Sequence, residues 1–383
     1  MIALFYLLAL VALLVGTAAI YMALIEAFPV RWLYWHLFIR KPVTWGIFAL
    51  TLLWGLLQDP FPWALLGPLV LMALAIVLTY RMHQSVAFPA IDFPPQAEAA
   101  TLPLRDDMEI AVIDYAGTVR AYALDHLIHH HIINDRFGDR VVAVTFCAMC
   151  RSIIPFDVTE IGPLFVASFK NANMIVADRK TKTFFQQASF SSLIGRLHPS
   201  ALTMIPFQIM TWKDLRESGP VPPFAAFTAK DLRDFELPIP GVWRKIMASE
   251  VTPGLGAARR DRSLPARTPV IGLLSPDLPP LAFRRDALRA AGVVHRPDLG
   301  ITLASAGGGV VAFRTADIGP LELGADHRLH DARSGAVWTL RGKAAGGSNQ
   351  ADLEPVALSD EYWFSWKFFH PTARLERIGQ APT

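Results

Sequence analysis

Two textures of sequence divide the chain. Before about residue 80 apolar residues run almost without interruption, and beyond it they alternate with polar ones at periods of two or of three to four. Met1 to Ala27 holds one charge, Glu26 near its end, and is long enough to cross a hydrocarbon core of roughly 30 Å as a helix. Residues 43–57 form a shorter apolar run and 61–80 a third of full length, whose first turns Pro62 and Pro68 will shape. The tight Gln58-Asp59-Pro60 link makes those two a hairpin. Three helices are therefore expected, at 1–27, 43–57 and 61–80, within a membrane region of residues 1–82. An interfacial or re-entrant piece is the alternative for the short middle run. No basic residue precedes Arg31, so the first run lacks the charged start of a secretory signal and reads as a retained span.

Residues 83–104, rich in Pro and Ala without periodicity, read as a linker. Strands are then expected at 109–114 and 118–123 around the turn Tyr115-Ala116-Gly117, and a helix at 124–133 from the spacing of Leu124, Leu127, Ile128 and Ile132. Further strands are expected at 141–146, 153–156, 164–168, 174–177 and 183–187, and a helix starting near Thr211. This pattern then comes round again. Residues 111–127 are echoed by 269–288, 144–157 by 301–314, 177–185 by 330–338 and 211–220 by 362–371, in the same order. The expected fold is α+β: N-terminal transmembrane helices, then a β-rich part of two tandem similar units at 105–220 and 269–383, joined by a Pro/Arg-rich connection at 221–268.

With 52% hydrophobic residues in 383, the chain is too apolar for one ordinary globular domain, which supports the lipid bilayer as a partner. The net charge of +3 gives no case for nucleic acid, which calls for a clustered basic face and a binding motif. Arg31, Arg40 and Lys41 fall between the first two expected spans, and only Asp59 between the second and third. The positive-inside rule then places the soluble part in the cytoplasm, with a periplasmic location as the alternative should the middle run not cross.

Chemistry concentrates between Asp125 and Asp157. This stretch holds both cysteines, Cys147 and Cys150, and His126, His129, His130 and His131. Thiolates and imidazole suit Zn(II) or Cu(I), so Cys147, Cys150 and His130 are candidate metal ligands, with Met149 available to copper. A disulfide-forming redox pair, its thiolate favoured by Arg151, is a second reading, although a strand rather than a helix follows Cys150. An inert buried pair is the third. Successive helical residues point about 100° apart, so at least half of the four histidines are expected on the surface. The second unit has Ala304 and Gly307 where the first has its cysteines. Chemistry is therefore expected at most once.

The order of hairpin, His-bearing helix, Ile132-Ile133-Asn134-Asp135, Val-rich strand and C-x-x-C, followed by Asn171-Ala172-Asn173 and Asp178-Arg179-Lys180-Thr181, resembles the bacterial and archaeal family of domain of unknown function 3179. The likeness spans roughly residues 109–375. His130 matches the family's histidine, although its neighbours His129 and His131 depart from the usual Trp and Glu, and Arg151 replaces a small residue after the second cysteine. The expected spans set the chain in a bacterial inner membrane, multi-pass, and the resemblance, which leaves the membrane part outside, implies a fold unit and further candidate positions at Asn171, Asn173, Asp178 and Arg179; it implies no reaction.

No phosphate-binding Gly loop, paired-carboxylate motif, H-E-x-x-H or G-x-S-x-G is present, and Gly307-Gly308-Gly309 precedes a strand-like run. The expected function is a membrane-anchored accessory or structural binding protein, a subunit of a larger membrane complex, with a metal ion (Zn or Cu) at the His/C-x-x-C positions. The alternative is a metal-dependent or thiol oxidoreductase using Cys147 and Cys150.

Overall fold

The computed structural model describes residues 1–236, 245, 249–250, 252–275, 278–306, 309–346 and 350–378. It opens with helices α1 (Ile2–Leu24), α2 (Val30–Leu56) and α3 (Leu66–Arg81), the last entered through one 3-10 turn at Trp63–Leu65. All three are long and apolar enough to cross a membrane. Small residues Ala9 and Ala12 on α1 meet Met72 and Ala75 on α3, the close approach that drives helix packing in lipid.

The second helix departs from the expected 43–57. It starts at Val30 and carries Arg31, Arg40, Lys41 and Pro42 within it, so the loop expected between the first two spans is mostly helix. The Thr44 hydroxyl donates to the Arg40 and Lys41 carbonyls beside the proline. At 1.5 Å per residue the helix is about 40 Å long, longer than a bilayer core. Its first part lies against the soluble body: Leu33, Tyr34 and Leu37 pack with Ala167, Ile175 and Phe184. Only near Arg40, which donates to the Thr79 carbonyl at 3.0 Å, does α2 draw level with the end of α3. The apolar run read from sequence is the remainder.

The stretch expected as a linker is built into the soluble body. It holds α4 (Gln84–Ala87), β1 (Ile91–Asp92) and β2 (Gln96–Ala97). The first unit follows: β3 (Glu109–Tyr115), β4 (Thr118–Ala123), α5 (Leu124–His130), β5 (Ile132–Phe137), β6 (Arg140–Cys147), β7 (Ser152–Asp157), β8 (Leu164–Lys170), β9 (Asn173–Asp178) and β10 (Phe184–Gln186). It continues with β11 (Ser192–Ile194), β12 (Thr203–Met204), β13 (Gln208–Thr211), α6 (Trp212–Glu217) and β14 (Phe224–Ala225), and α7 (Ala229–Glu236) opens the connection. The second unit runs β15 (Pro269–Ser275), β16 (Leu278–Arg284), α8 (Arg285–Ala291), β17 (Val293–Arg296), β18 (Ile301–Ala306) and β19 (Gly309–Arg314). It ends with β20 (Leu321–Leu323), β21 (Arg328–Asp331), β22 (Val337–Thr339), β23 (Ser359–Tyr362), α9 (Trp363–Phe369) and β24 (Arg374–Glu376).

The two units share a topology. Strands β13-β3-β4-β14 lie side by side in the first and β23-β15-β16-β24 in the second, with the outer pairs antiparallel at β13 and β23 and parallel at β14 and β24. The meanders β5-β6-β7 and β17-β18-β19 correspond, as do β8-β9-β10 and β20-β21-β22. The units also close each other's edges. Strand β23 bonds to β7 through Asp360 and Ile153, and β19 lies so tightly on β13 that a Cβ on Gly309 would collide with the Ile209 carbonyl. Gly307, aligned with Cys150, lies outside the described residues.

The helix expected at 124–133 stops at His130. His131 takes a left-handed conformation (φ 62°) and returns its N–H to Leu127, a C-cap that ends the helix and turns the chain into β5. Side chains of β6 then alternate between two cores. Ala143 and Cys147 face Ile154, Phe156, Met174 and Phe185, whereas Val142, Val144 and Phe146 face Leu124 and Leu127 of α5.

The soluble body is fixed to the first helix by polar contacts. Lys170 Nζ donates to the carbonyls of Met22 at 3.2 Å and Ile25 at 2.7 Å, the first of them a group that a helix end leaves without an intrahelical partner. The Glu26 carboxylate accepts from Gly256 N–H at 2.9 Å and pairs with Arg259.

Candidate functional site: a buried dithiol and a His-His-Asp cluster

Cys147 ends β6 and Cys150 sits in the hairpin turn that leads into β7, so the strand expected after the motif is present. Both are buried and unbridged. Around Cys150 the polar side chains form an oriented network. The Asn173 Oδ1 accepts from Gln186 Nε2 at 2.7 Å and from the Ala188 backbone N–H at 3.1 Å. Because a backbone N–H only donates, the amide cannot be reversed, and its Nδ2 donates to Cys150 Sγ at 3.0 Å. Gln187 is fixed likewise: its Nε2 donates to the Ser152 carbonyl at 3.1 Å, leaving Oε1 to accept from Ser152 Oγ at 2.7 Å and Asn173 Nδ2 at 3.0 Å.

The second unit completes the site. Glu361, fully buried on β23, accepts from Ser359 Oγ at 2.6 Å. The Ser365 hydroxyl on α9 makes no hydrogen bond of good geometry, yet stands close enough to Cys150 and Glu361 to favour the charged form of each. Burial pushes the Cys150 thiol up, but the adjacent Cys147 thiol, the Ser152 hydroxyl, the Asn173 amide and the nearby Ser365 hydroxyl outweigh it and bring it to about 7. Burial and its neighbour push the Cys147 thiol well above its ordinary value. Burial, followed by the adjacent Cys150, raises the Glu361 carboxyl to about 8. One sulfur is thus poised to ionise beside a thiol and a carboxylic acid that keep their protons.

Arg151 does not supply that bias. It adopts φ 54°, and its guanidinium turns to Glu109 and Asp360, where Arg285 joins the same two carboxylates. The expectation that Arg151 favours the thiolate gives way to neutral donors. Met149 packs against the core beside the cysteines, and its carbonyl accepts from Arg267 at 2.9 Å.

His130 is not part of this site. The cysteines point to one face of the β6 sheet and α5 covers the other, so the expected set of Cys147, Cys150 and His130 is not assembled. Instead His130 Nε2 lies 2.7 Å from Asp231 Oδ1, and His126 Nε2 lies 3.2 Å from Asp231 Oδ2. Among the described residues this is the one group of three or more His, Cys, Asp or Glu side chains that converge as a metal site requires. The expectation of mostly exposed histidines also fails: His126, His130 and His131 are buried. The His131 ring stacks on Phe88 with centroids 4.0 Å apart, and burial lowers it to about 3.

The other candidates divide. Asn173 belongs to the dithiol site. Asn171 and Ala172 both have positive φ and form the tight turn between β8 and β9, as two-residue hairpin loops require. Asp178 is buried and caps its own turn, accepting from Thr181 Oγ1 at 2.6 Å and Thr183 N–H at 2.9 Å. Arg179 points away to Asp92 at 2.8 Å. Sequence reasoning missed Ser152, Gln187, Glu361, Ser365 and Asp231. The run Ser359-Asp360-Glu361, three polar residues just before the echo at 362–371, is a signal for Glu361. Thr228-Ala229-Lys230-Asp231, a capping box, is one for Asp231.

No curated protein and no solved structure matches the chain. Residues 86–373, about three quarters of the chain and including both clusters, match the family described as Protein of unknown function (DUF3179). By that match the chain belongs to the DUF3179 family.

Proposed function

We propose that the chain is a multi-pass, membrane-anchored accessory or binding protein, a subunit of a larger membrane assembly, whose soluble units form a platform held at a set height over the bilayer. The observation that carries this reading is the seat of the soluble body on α1, with Lys170 on the last carbonyls of the helix and Glu26 taken by Gly256 and Arg259. A tethered catalytic domain needs no such attachment. Arg31, Arg40, Lys41 and Arg81 cluster at the end of the helices nearest that body, which favours a cytoplasmic platform. The test is isolation from native membranes in mild detergent: a stoichiometric, reproducible complex is expected, and a solitary chain overturns the assembly reading.

The oriented amide on Cys150 favours a second reading, dithiol oxidoreductase chemistry. Cys150 is the nucleophilic thiolate and Cys147 the second thiol; closing the disulfide releases two electrons and two protons to a partner disulfide, which becomes a dithiol. Zinc or copper at the cysteines is less well supported, since two sulfurs without His130 fall short of the four ligands of a closed zinc site. Mixed-disulfide trapping with a Cys147→Ser variant distinguishes the readings. A covalent adduct through Cys150 favours exchange chemistry, and unreactive thiols in folded protein exclude it.

A further inference from the structure

The cluster of His126, His130 and Asp231 stands apart from the dithiol, and its geometry carries an inference of its own. His126 and His130 are four residues apart on α5, which stacks their rings over one face of the helix, with centroids 5.2 Å apart. Asp231 arrives from α7, about a hundred residues later in sequence. Its backbone N–H donates to Thr228 Oγ1 at 3.2 Å and its Oδ2 accepts from Thr228 N–H at 2.6 Å. This reciprocal cap fixes the carboxylate before any ligand is considered. The three residues are 0%, 8% and 1% exposed.

The proton count at His130 is informative. Its Nδ1 lies 2.7 Å from the Pro89 carbonyl oxygen, which only accepts, so Nδ1 carries a hydrogen. In a neutral ring Nε2 is then a bare lone pair. Nε2 faces Asp231 Oδ1 at 2.7 Å, a separation that a ring hydrogen fills as it stands and a metal ion fills once the contact opens. A ring N–H bonded to a backbone carbonyl is the outer-shell arrangement that fixes the orientation of a ligating histidine, and it leaves Nε2 directed at the carboxylate.

We infer that His126 Nε2, His130 Nε2 and an Asp231 carboxylate oxygen bind a divalent transition-metal ion of the Zn(II), Fe(II) or Co(II) class. Two imidazoles and one carboxylate suit borderline ions better than Ca(II), Mg(II) or Cu(I). The ligand atoms lie within 4.8 Å of one another. Bonds of about 2.0–2.1 Å need ligands roughly 3.4 Å apart; the two histidines face different oxygens of Asp231, so an ion held through one oxygen draws the three ligand atoms inward from their present spread within 4.8 Å. Three protein ligands leave further positions on the ion for water or a small anion.

The test uses the full chain in detergent, stripped with a chelator and titrated with Zn(II) and, separately, Co(II). One equivalent per chain is expected, with Co(II) d–d bands and no thiolate-to-metal charge transfer. The Cys147→Ser/Cys150→Ser double variant should bind as well as the native chain. Asp231→Asn and His130→Gln should each weaken Zn(II) by more than about 100-fold, since loss of an outer-shell partner alone costs 10–100-fold. Circular dichroism verifies that each variant is folded. Absence of stoichiometric metal in the native chain, or binding that survives both variants and vanishes with the cysteines, overturns the site. Should a variant not fold, the native chain's Co(II) spectrum decides, because sulfur ligation contradicts the inference and nitrogen–oxygen ligation supports it.

Discussion

An amide lowers the free energy of a neighbouring thiolate only if it cannot turn round, and Asn173 is prevented from turning by the Ala188 N–H behind it. Asn173→Ala should therefore move the thiolate absorbance of Cys150 from a midpoint of about 7 upward by about one pH unit or more, with Cys150→Ser as the blank. Glu361 works in the other direction. Its carboxyl is held at about 8 against an ordinary 4.5, so folding retains a proton that the unfolded chain has lost, and this group makes the protein less stable as pH rises from about 4.5 to 8. Glu361→Gln, compared in a Cys150→Ser background to remove the thiolate's opposite contribution, should flatten the fall of melting temperature across that range. Asn173 was legible as a candidate because it sits in a stretch of sequence resembling the family's. Glu361 and Ser365 were not, because they reach Cys150 from about two hundred residues away. The grouping of His130 with the cysteines failed for a related reason: closeness in sequence put them together, and strand alternation put a sheet between them.

At the scale of elements, the alternating runs of the first unit announced its hairpins, and Thr211 caps its helix as expected, accepting from Asp214 N–H. Strand β5 was hidden because Ile132 continues the spacing of α5, and only the left-handed backbone of His131 reveals the break. The upper part of α2 was hidden because a helix that leaves lipid to lie on protein loses its continuous apolar texture. Where α1 meets the soluble body, Lys170 answers two carbonyls at once. Lys170→Met keeps the apolar stem and removes the ammonium, so the Met22 carbonyl loses its donor and the Ile25 carbonyl keeps the Phe28 N–H at 3.3 Å. About 1–3 kcal/mol of stability should be lost, read as a lower melting temperature in detergent and faster proteolysis between residues 25 and 29.

At the scale of the whole molecule, the repeated echoes in the sequence disclosed two units but not their mutual bracing, which depends on strand edges that carry no motif. His370, at the end of α9 in the second unit, donates through Nε2 to the Ala188 carbonyl of the first at 3.1 Å. Burial lowers it to about 4 from an ordinary 6.5, so the fold refuses a proton that the unfolded chain accepts. Stability should fall as pH drops from about 6.5 to 4, by up to about 1.4 kcal/mol per pH unit from this group. Because His370 lies on Trp366, with ring centroids 4.2 Å apart, tryptophan fluorescence should report the loosening of the seam.

The exchange of edges has a genetic consequence. A coding sequence divided in the connection would yield one half with the cysteines but without Glu361 or the strand that bonds β7 at Ile153, an end of the edge that β12 does not reach, and another with no thiol to serve. Each alone presents an open strand edge, the usual template for aggregation. Expressed singly, the halves should precipitate; expressed together, they should co-purify and restore the Cys150 titration. The thiol-free copy is then free to lose its own chemistry by mutation but not to be deleted.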